Sequence, residues 1–128
     1  MISAPRERNM RHGRIQVNGT VWIQKAERAV SLKDRLRGLL GRTSLGPDAA
    51  LLIERCGAVH TVGMRFALDL VFLDHAGRVL RVIRGVRPGR LWVGGGWRAA
   101  RTLELEAGCL DVGQLRCGDV LTWSEDKA

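Results

Sequence analysis

No stretch of this sequence approaches the roughly 20 consecutive apolar residues that a membrane-spanning helix needs. The longest candidate, Leu68 to Leu73, has the length of a strand, which excludes a helical membrane span. The opening residues MISAPRERNMRHGR lack the apolar middle region of a secretory signal and are instead charged and broken by Pro5 and Gly13, so the protein is expected in the cytoplasm. Cysteine is scarce. Cys56, Cys109 and Cys117 cannot all pair within one chain, and reduced thiols are the simplest state. Lysine is nearly absent: only Lys25, Lys33 and Lys127 occur, and arginine supplies almost all of the positive charge. No Cys-x-x-Cys pair, internal repeat or nucleic-acid motif is visible, and Gly94-Gly95-Gly96 lacks the lysine and helix context of a phosphate-binding loop.

What is there suits one domain, since 128 residues with an apolar share of 45% are enough for one continuous core. The charge is +8, from 21 basic and 13 acidic residues, and part of it belongs to the N-terminal Arg6, Arg8, Arg11 and Arg14 set against Glu7. The reading is a flexible basic arm over 1–13, a single domain over 14–124 and a polar tail over 125–128. Asn18-Gly19 between two alternating runs predicts an opening β-hairpin. Ser31 before Leu32, Leu36, Leu39 and Leu40 predicts a helix with one apolar stripe, Asp34 in its first turn and Gly41 at its end. Short strands are expected at Ala50 to Ile53, Leu68 to Leu73, Val79 to Ile83, Thr102 to Glu106 and Asp119 to Trp123, with a turn at Asp74 to Gly77. The alternation Thr102-Leu103-Glu104-Leu105-Glu106 is that of a half-exposed strand. The segment from Arg87 to Trp97, with its three glycines, reads as a mobile surface loop.

The ordered set Arg35 to Arg42, Cys56, His60-Thr61-Val62-Gly63-Met64-Arg65, Leu68-Asp69-Leu70-Val71-Phe72-Leu73-Asp74, Gly77-Arg78-Val79 and Leu103 to Gly108 resembles the domain of unknown function 192 family, in a His-Thr variant of its central motif. The resemblance runs from Arg28 to Trp123. It implies an α+β domain in which mostly antiparallel, curved strands form a barrel-like sheet with one main helix packed against it, and it implies no established reaction.

Several side chains invite chemistry. Cys56 and His60, four apart, suggest soft metal ligands with Cys109 and Cys117, or a nucleophile and its base; buried packing is the preferred reading of both. Asp69 stands inside an apolar run and needs a partner, either Arg37, Arg65 or the backbone in a structural role, or a polar pocket shared with His60 and Thr61. Arg35, Arg37 and Arg42 could bind phosphate, and Arg87 and Arg90 beside Trp92 and Trp97 form a second basic element that suits single-stranded nucleic acid, although solvated arginines and core tryptophans are the simpler expectation. The leading hypothesis is a non-catalytic binding or assembly-accessory module for a small ligand or peptide segment, with a groove drawing on His60, Thr61, Met64, Asp69, Arg37, Arg87 and Arg90. A hydrolase using His60 with Cys56 or Asp69 is the alternative, weak nucleic-acid binding the third reading, and neither cofactor nor metal is expected.

Overall fold

A computed structural model describes residues 10–126. Asn18 and Gly19 adopt φ of 48° and 89°, the backbone that a two-residue hairpin turn demands, and they join β1 (Arg11–Val17) to β2 (Thr20–Ala29) as the sequence predicts. The strand starts ahead of the expected Arg14: residues 11–13 of the supposed arm belong to β1 and Met10 is buried, while residues 1–9 lie outside the described residues. The helix α1 (Leu32–Arg37) follows, then β3 (Ala49–Ile53), β4 (Ala58–Val59), β5 (Leu68–Leu73), β6 (Val79–Val86), β7 (Val93–Gly94), β8 (Arg101–Glu106), a 3-10 turn at Val112–Gln114 and β9 (Leu121–Glu125).

Seven strands form one mixed sheet in the order β6-β5-β8-β3-β2-β1-β9, and β4 pairs with β7 in a second, two-stranded sheet. Within the large sheet β2 and β3 are parallel and every other neighbouring pair is antiparallel. A parallel pair cannot be closed by a tight turn, so the chain crosses over between β2 and β3, and α1 lies in that crossover. The expected barrel-like closure is absent. The edge strands β6 and β9 are not paired along their lengths; the chain segments leading into them meet at a single antiparallel bridge, Arg78 with Val120, supported by Val79 N–H donating to the Asp119 carbonyl at 2.8 Å.

Both faces of the sheet are covered at its central strands β3, β5 and β8. Ala50, Leu52, Val71, Leu73, Leu103 and Leu105 point into one core, and Leu51, Ile53, Leu68, Leu70 and Phe72 point into the other, where Leu39, Met64 and Val93 pack over them. Each large side chain fully withdrawn from water contributes about 1.5–3 kcal/mol. The central strand β8 is therefore buried on both sides, against the half-exposed reading of its alternation: Thr102 and Glu104 lie under the second core instead of in solvent.

The helix also departs from expectation. It has six residues rather than being the main layer of the domain, and Gly38, at φ 51°, ends it ahead of Gly41. Ser31 caps its start by accepting from the Asp34 N–H at 3.2 Å. Leu32 and Leu36 are exposed and Asp34 is buried, so only Leu39 and Leu40 of the predicted stripe reach the core. Among the described residues no helix is long and apolar enough to cross a membrane.

Nor is the glycine segment a bare loop. Val93 and Gly94 pair with Val59 and Ala58, and Gly95 lies so close to the ring of Phe72 that a Cβ placed there would be 2.3 Å from the Phe72 Cβ. Glycine at this point permits close packing rather than mobility. Trp92 and Trp97 are on the surface rather than in the core, with Arg98 stacked over the Trp97 ring at 4.9 Å. Gly95→Ala is expected to destabilise the protein by about 1–3 kcal/mol in urea unfolding, because the added methyl overpacks Phe72; an unchanged midpoint would show that the segment is not seated on that ring.

Candidate functional site

Strand β8 sets Glu104 opposite Leu51 on one neighbour and Leu70 on the other. Both leucines are fully buried, and Glu104 itself is only 3% exposed. Among the described residues its Oε1 has no hydrogen-bond partner. Loss of water around the carboxyl pushes its pKa up to about 7, with burial the only cause. Leaving such a group unpaired is costly.

The carboxyl borders a cavity of about 200 Å³. Arg35, Leu36 and Arg37 of α1 line it, followed by the turn through Gly38, Leu39 and Leu40. Gly38 matters locally: a Cβ there would stand 3.3 Å from Glu104 Oε1, so the glycine that ends the helix also lets the backbone pass over the carboxyl. Leu36, Leu91 and Trp92, which are 69%, 82% and 75% exposed, reach the same cavity and give it an apolar mouth. Met64 and Ile53 add to its walls. Arg35 is tethered through Nη2, which donates to the Arg55 carbonyl at 2.7 Å, while its buried Nε finds no partner among the described residues.

Cys56 also lines the cavity. Its Sγ donates to the Ala58 carbonyl at 3.0 Å, and its carbonyl accepts from Thr102 Oγ1 at 2.8 Å. Burial pushes the thiol pKa up, and the charge of Glu104 raises it further. The net direction is opposite to that of an activated nucleophile, which needs the thiolate.

Of the residues singled out from the sequence, the cavity gathers His60, Met64 and Arg37. His60 and Arg37 are exposed and Met64 is buried. Thr61 is next to this group but is fully occupied: its hydroxyl donates to the Arg87 carbonyl at 2.7 Å and accepts from the Arg90 N–H at 2.9 Å, and its own N–H and carbonyl bond Arg90 and Gly89. Thr61 is thus a clamp on the 87–90 turn, which carries Leu91 and Trp92 to the mouth of the cavity. The side chains of Arg87 and Arg90 are exposed and do not line it.

Asp69 does not converge with His60 and Thr61. Its two oxygens accept from the Gly85 N–H at 2.8 Å and the Gly108 N–H at 3.1 Å, so the partner it required is the backbone, not Arg37 or Arg65. Cys109 donates to Glu106, and Cys117 donates to the Leu80 carbonyl, so neither joins Cys56 and His60. Among the described residues no three His, Cys, Asp or Glu side chains are grouped to hold a metal ion.

Sequence reasoning passed over Glu104 and placed Arg35 with phosphate-binding arginines instead of in this groove. The available signal was the pair of apolar runs at Ala49–Ile53 and Leu68–Leu73, the second broken only by Asp69, which mark strands buried on both faces. A glutamate on a strand between them has no solvent to reach.

Among solved structures the fold is similar to a protein of unknown function from Novosphingobium aromaticivorans, with a TM-score of 0.75, 21% identity and coverage of 88% of this chain and 85% of that one. It is also similar to a proposed transcription regulator from Sinorhizobium meliloti, with a TM-score of 0.77, 23% identity and coverage of 91% and 97%. No protein of curated function matches the chain. The model of the domain of unknown function 192 family, described as uncharacterized ACR, matches residues 13–123.

The carboxyl of Glu104 has a pH signature. Its pKa is raised in the folded state from 4.5 to about 7, so the native protein holds a proton that the unfolded chain releases. The stability tied to that proton is fully present below pH 4.5 and is lost as pH rises through about 7. The loss is on the order of 3 kcal/mol. Melting curves across this window should show wild type losing stability relative to Glu104→Gln, with the difference levelling off in alkali; parallel curves would mean that the carboxyl is hydrated.

Proposed function

Because the chain belongs to the domain of unknown function 192 family, matched over residues 13–123 and described without a reaction, we propose a function from the site itself: a non-catalytic binding module. Its cavity beside Glu104 takes a small ligand or one apolar side chain of a peptide segment. The observation that carries this reading is the unpartnered Oε1 of Glu104 at the wall of an open-mouthed apolar cavity. Pockets of this kind, mostly apolar with a few convergent polar groups, are the usual form of a small-molecule site. Size supports it too. At about 200 Å³ the cavity exceeds the roughly 150 Å³ of an engineered apolar cavity that takes up benzene.

A purely structural role accounts poorly for the same residue. Replacing a buried, unpaired charge by an apolar side chain of like volume is neutral or stabilising, so a glutamate kept for the fold alone would be expected to have a partner. An unpartnered glutamate at this wall fits a group whose partner arrives with the ligand, at a standing cost in stability. The three free thiols fit a reducing, cytoplasmic setting.

Glu104→Met is the decisive variant. It is expected to raise the melting temperature by roughly 3–6 °C, for a gain of about 1–2 kcal/mol in a domain of this size, and to reduce the stabilisation that a bound compound gives wild type in a thermal-shift screen of small amides, amines, sugars, nucleotides and short peptides. His60→Ala serves as the companion variant at the cavity mouth. A Glu104→Met protein that melts lower, or that keeps the full ligand-induced shift, would overturn the reading.

A further inference from the structure

Two buried polar atoms without partners belong to residues that line the same cavity, and they are chemically opposite. Glu104 Oε1 is a carboxyl oxygen able to accept, and Arg35 Nε–H can only donate. They do not bond each other. The guanidinium is not free to swing toward water, because its Nη2 is tied to the Arg55 carbonyl at 2.7 Å and its residue sits in the helix that Ser31 caps. A buried donor or acceptor left unmade costs about 1–3 kcal/mol. A ligand that satisfies both atoms recovers that cost twice.

Charge decides which head group can do so. A cationic amine satisfies Glu104 but enters a cavity that also carries Arg35 and Arg37. An anionic carboxylate satisfies Arg35 but has no N–H to offer Glu104 Oε1. A neutral carboxamide offers an N–H donor and a carbonyl acceptor in one small group and adds no net charge. Beside Cys56 and His60, the remaining walls include the apolar Leu39, Met64 and Trp92, which suit a compact hydrocarbon or aromatic body.

We propose that the cavity binds a small aromatic carboxamide, its N–H donating to Glu104 Oε1 and its carbonyl accepting from Arg35 Nε–H. This rests on the binding reading above and gives it a ligand class. A glutamine side chain presents the same head group without the aromatic body, so it is the natural comparison.

The test is calorimetric titration of the full chain with four probes of one body, toluene, benzamide, benzylamine and benzoate, and with N-acetylglutamine methylamide. Benzamide is expected to bind about ten-fold tighter than benzylamine or benzoate and about a hundred-fold tighter than toluene, margins of one and two recovered hydrogen bonds, and to outbind the glutamine compound. Glu104→Met and Arg35→Met should each reduce its affinity about ten-fold. Equal or tighter binding of benzylamine or benzoate, or benzamide affinity indifferent to both substitutions, overturns the carboxamide assignment while toluene binding upholds the cavity. Tighter binding of the glutamine compound overturns the small-molecule form of the proposal. If none of the five binds, the cavity reading falls with it.

Discussion

Middle strands buried on both faces leave no water for their polar side chains, and this constraint governs the molecule. Strand β8 runs between β5 and β3, and successive residues of it enter opposite cores. Leu103 and Leu105 fill one; Thr102 and Glu104 fall under the other. Thr102 is accommodated by donating to the Cys56 carbonyl. Glu104 is accommodated differently, by a neighbouring cavity and a proton, and its pKa of about 7 expresses how little the surroundings favour its charge. Gly38 passing over the carboxyl, the tethered Arg35 and the apolar mouth at Leu91 and Trp92 are all arranged around that one group.

The mouth depends on a second, purely structural device. Thr61 holds the 87–90 turn with four hydrogen bonds, two from its hydroxyl and two from its backbone, and Gly95 locks the following strand onto Phe72. These contacts set the positions of Leu91 and Trp92 between them. Asp69 does comparable work elsewhere, tying β6 to the turn after β8 through two backbone N–H groups. Both residues are polar and buried because the backbone uses them, which leaves them little capacity for a ligand.

Local chemistry was legible in the sequence and coverage was not. Asn18-Gly19 specified its hairpin, Ser31 its cap, and Asp74 its turn, where the carboxylate accepts from the Ala76 and Arg78 N–H groups. These features depend on neighbours within a few residues. The apolar runs of β3 and β5 were equally plain. What lies over a strand is a different matter. The alternation in β8 looks solvent-facing because the segments that cover Glu104, α1 with its following turn and the β4–β7 pair, come from far along the chain. For the same reason β7 was missed: two residues beside three glycines carry no strand pattern, and pairing with β4 is what defines them. The leucine stripe misled because Gly38 stops the helix before the stripe is complete. Of the candidate site, His60, Met64 and Arg37 were found and Arg35 was noted for another role, whereas Glu104 emerged only when the crossover had placed the helix above the sheet.

The central claim is that Glu104 is a buried carboxyl waiting for a partner. The most direct measurement is the side-chain carboxyl carbon shift of Glu104, followed by NMR across the pH range in the full chain. The account predicts a midpoint near 7, well above the ordinary 4.5 of an exposed glutamate. A midpoint at the ordinary value would show the carboxyl hydrated or already paired, and would remove the basis for the binding site.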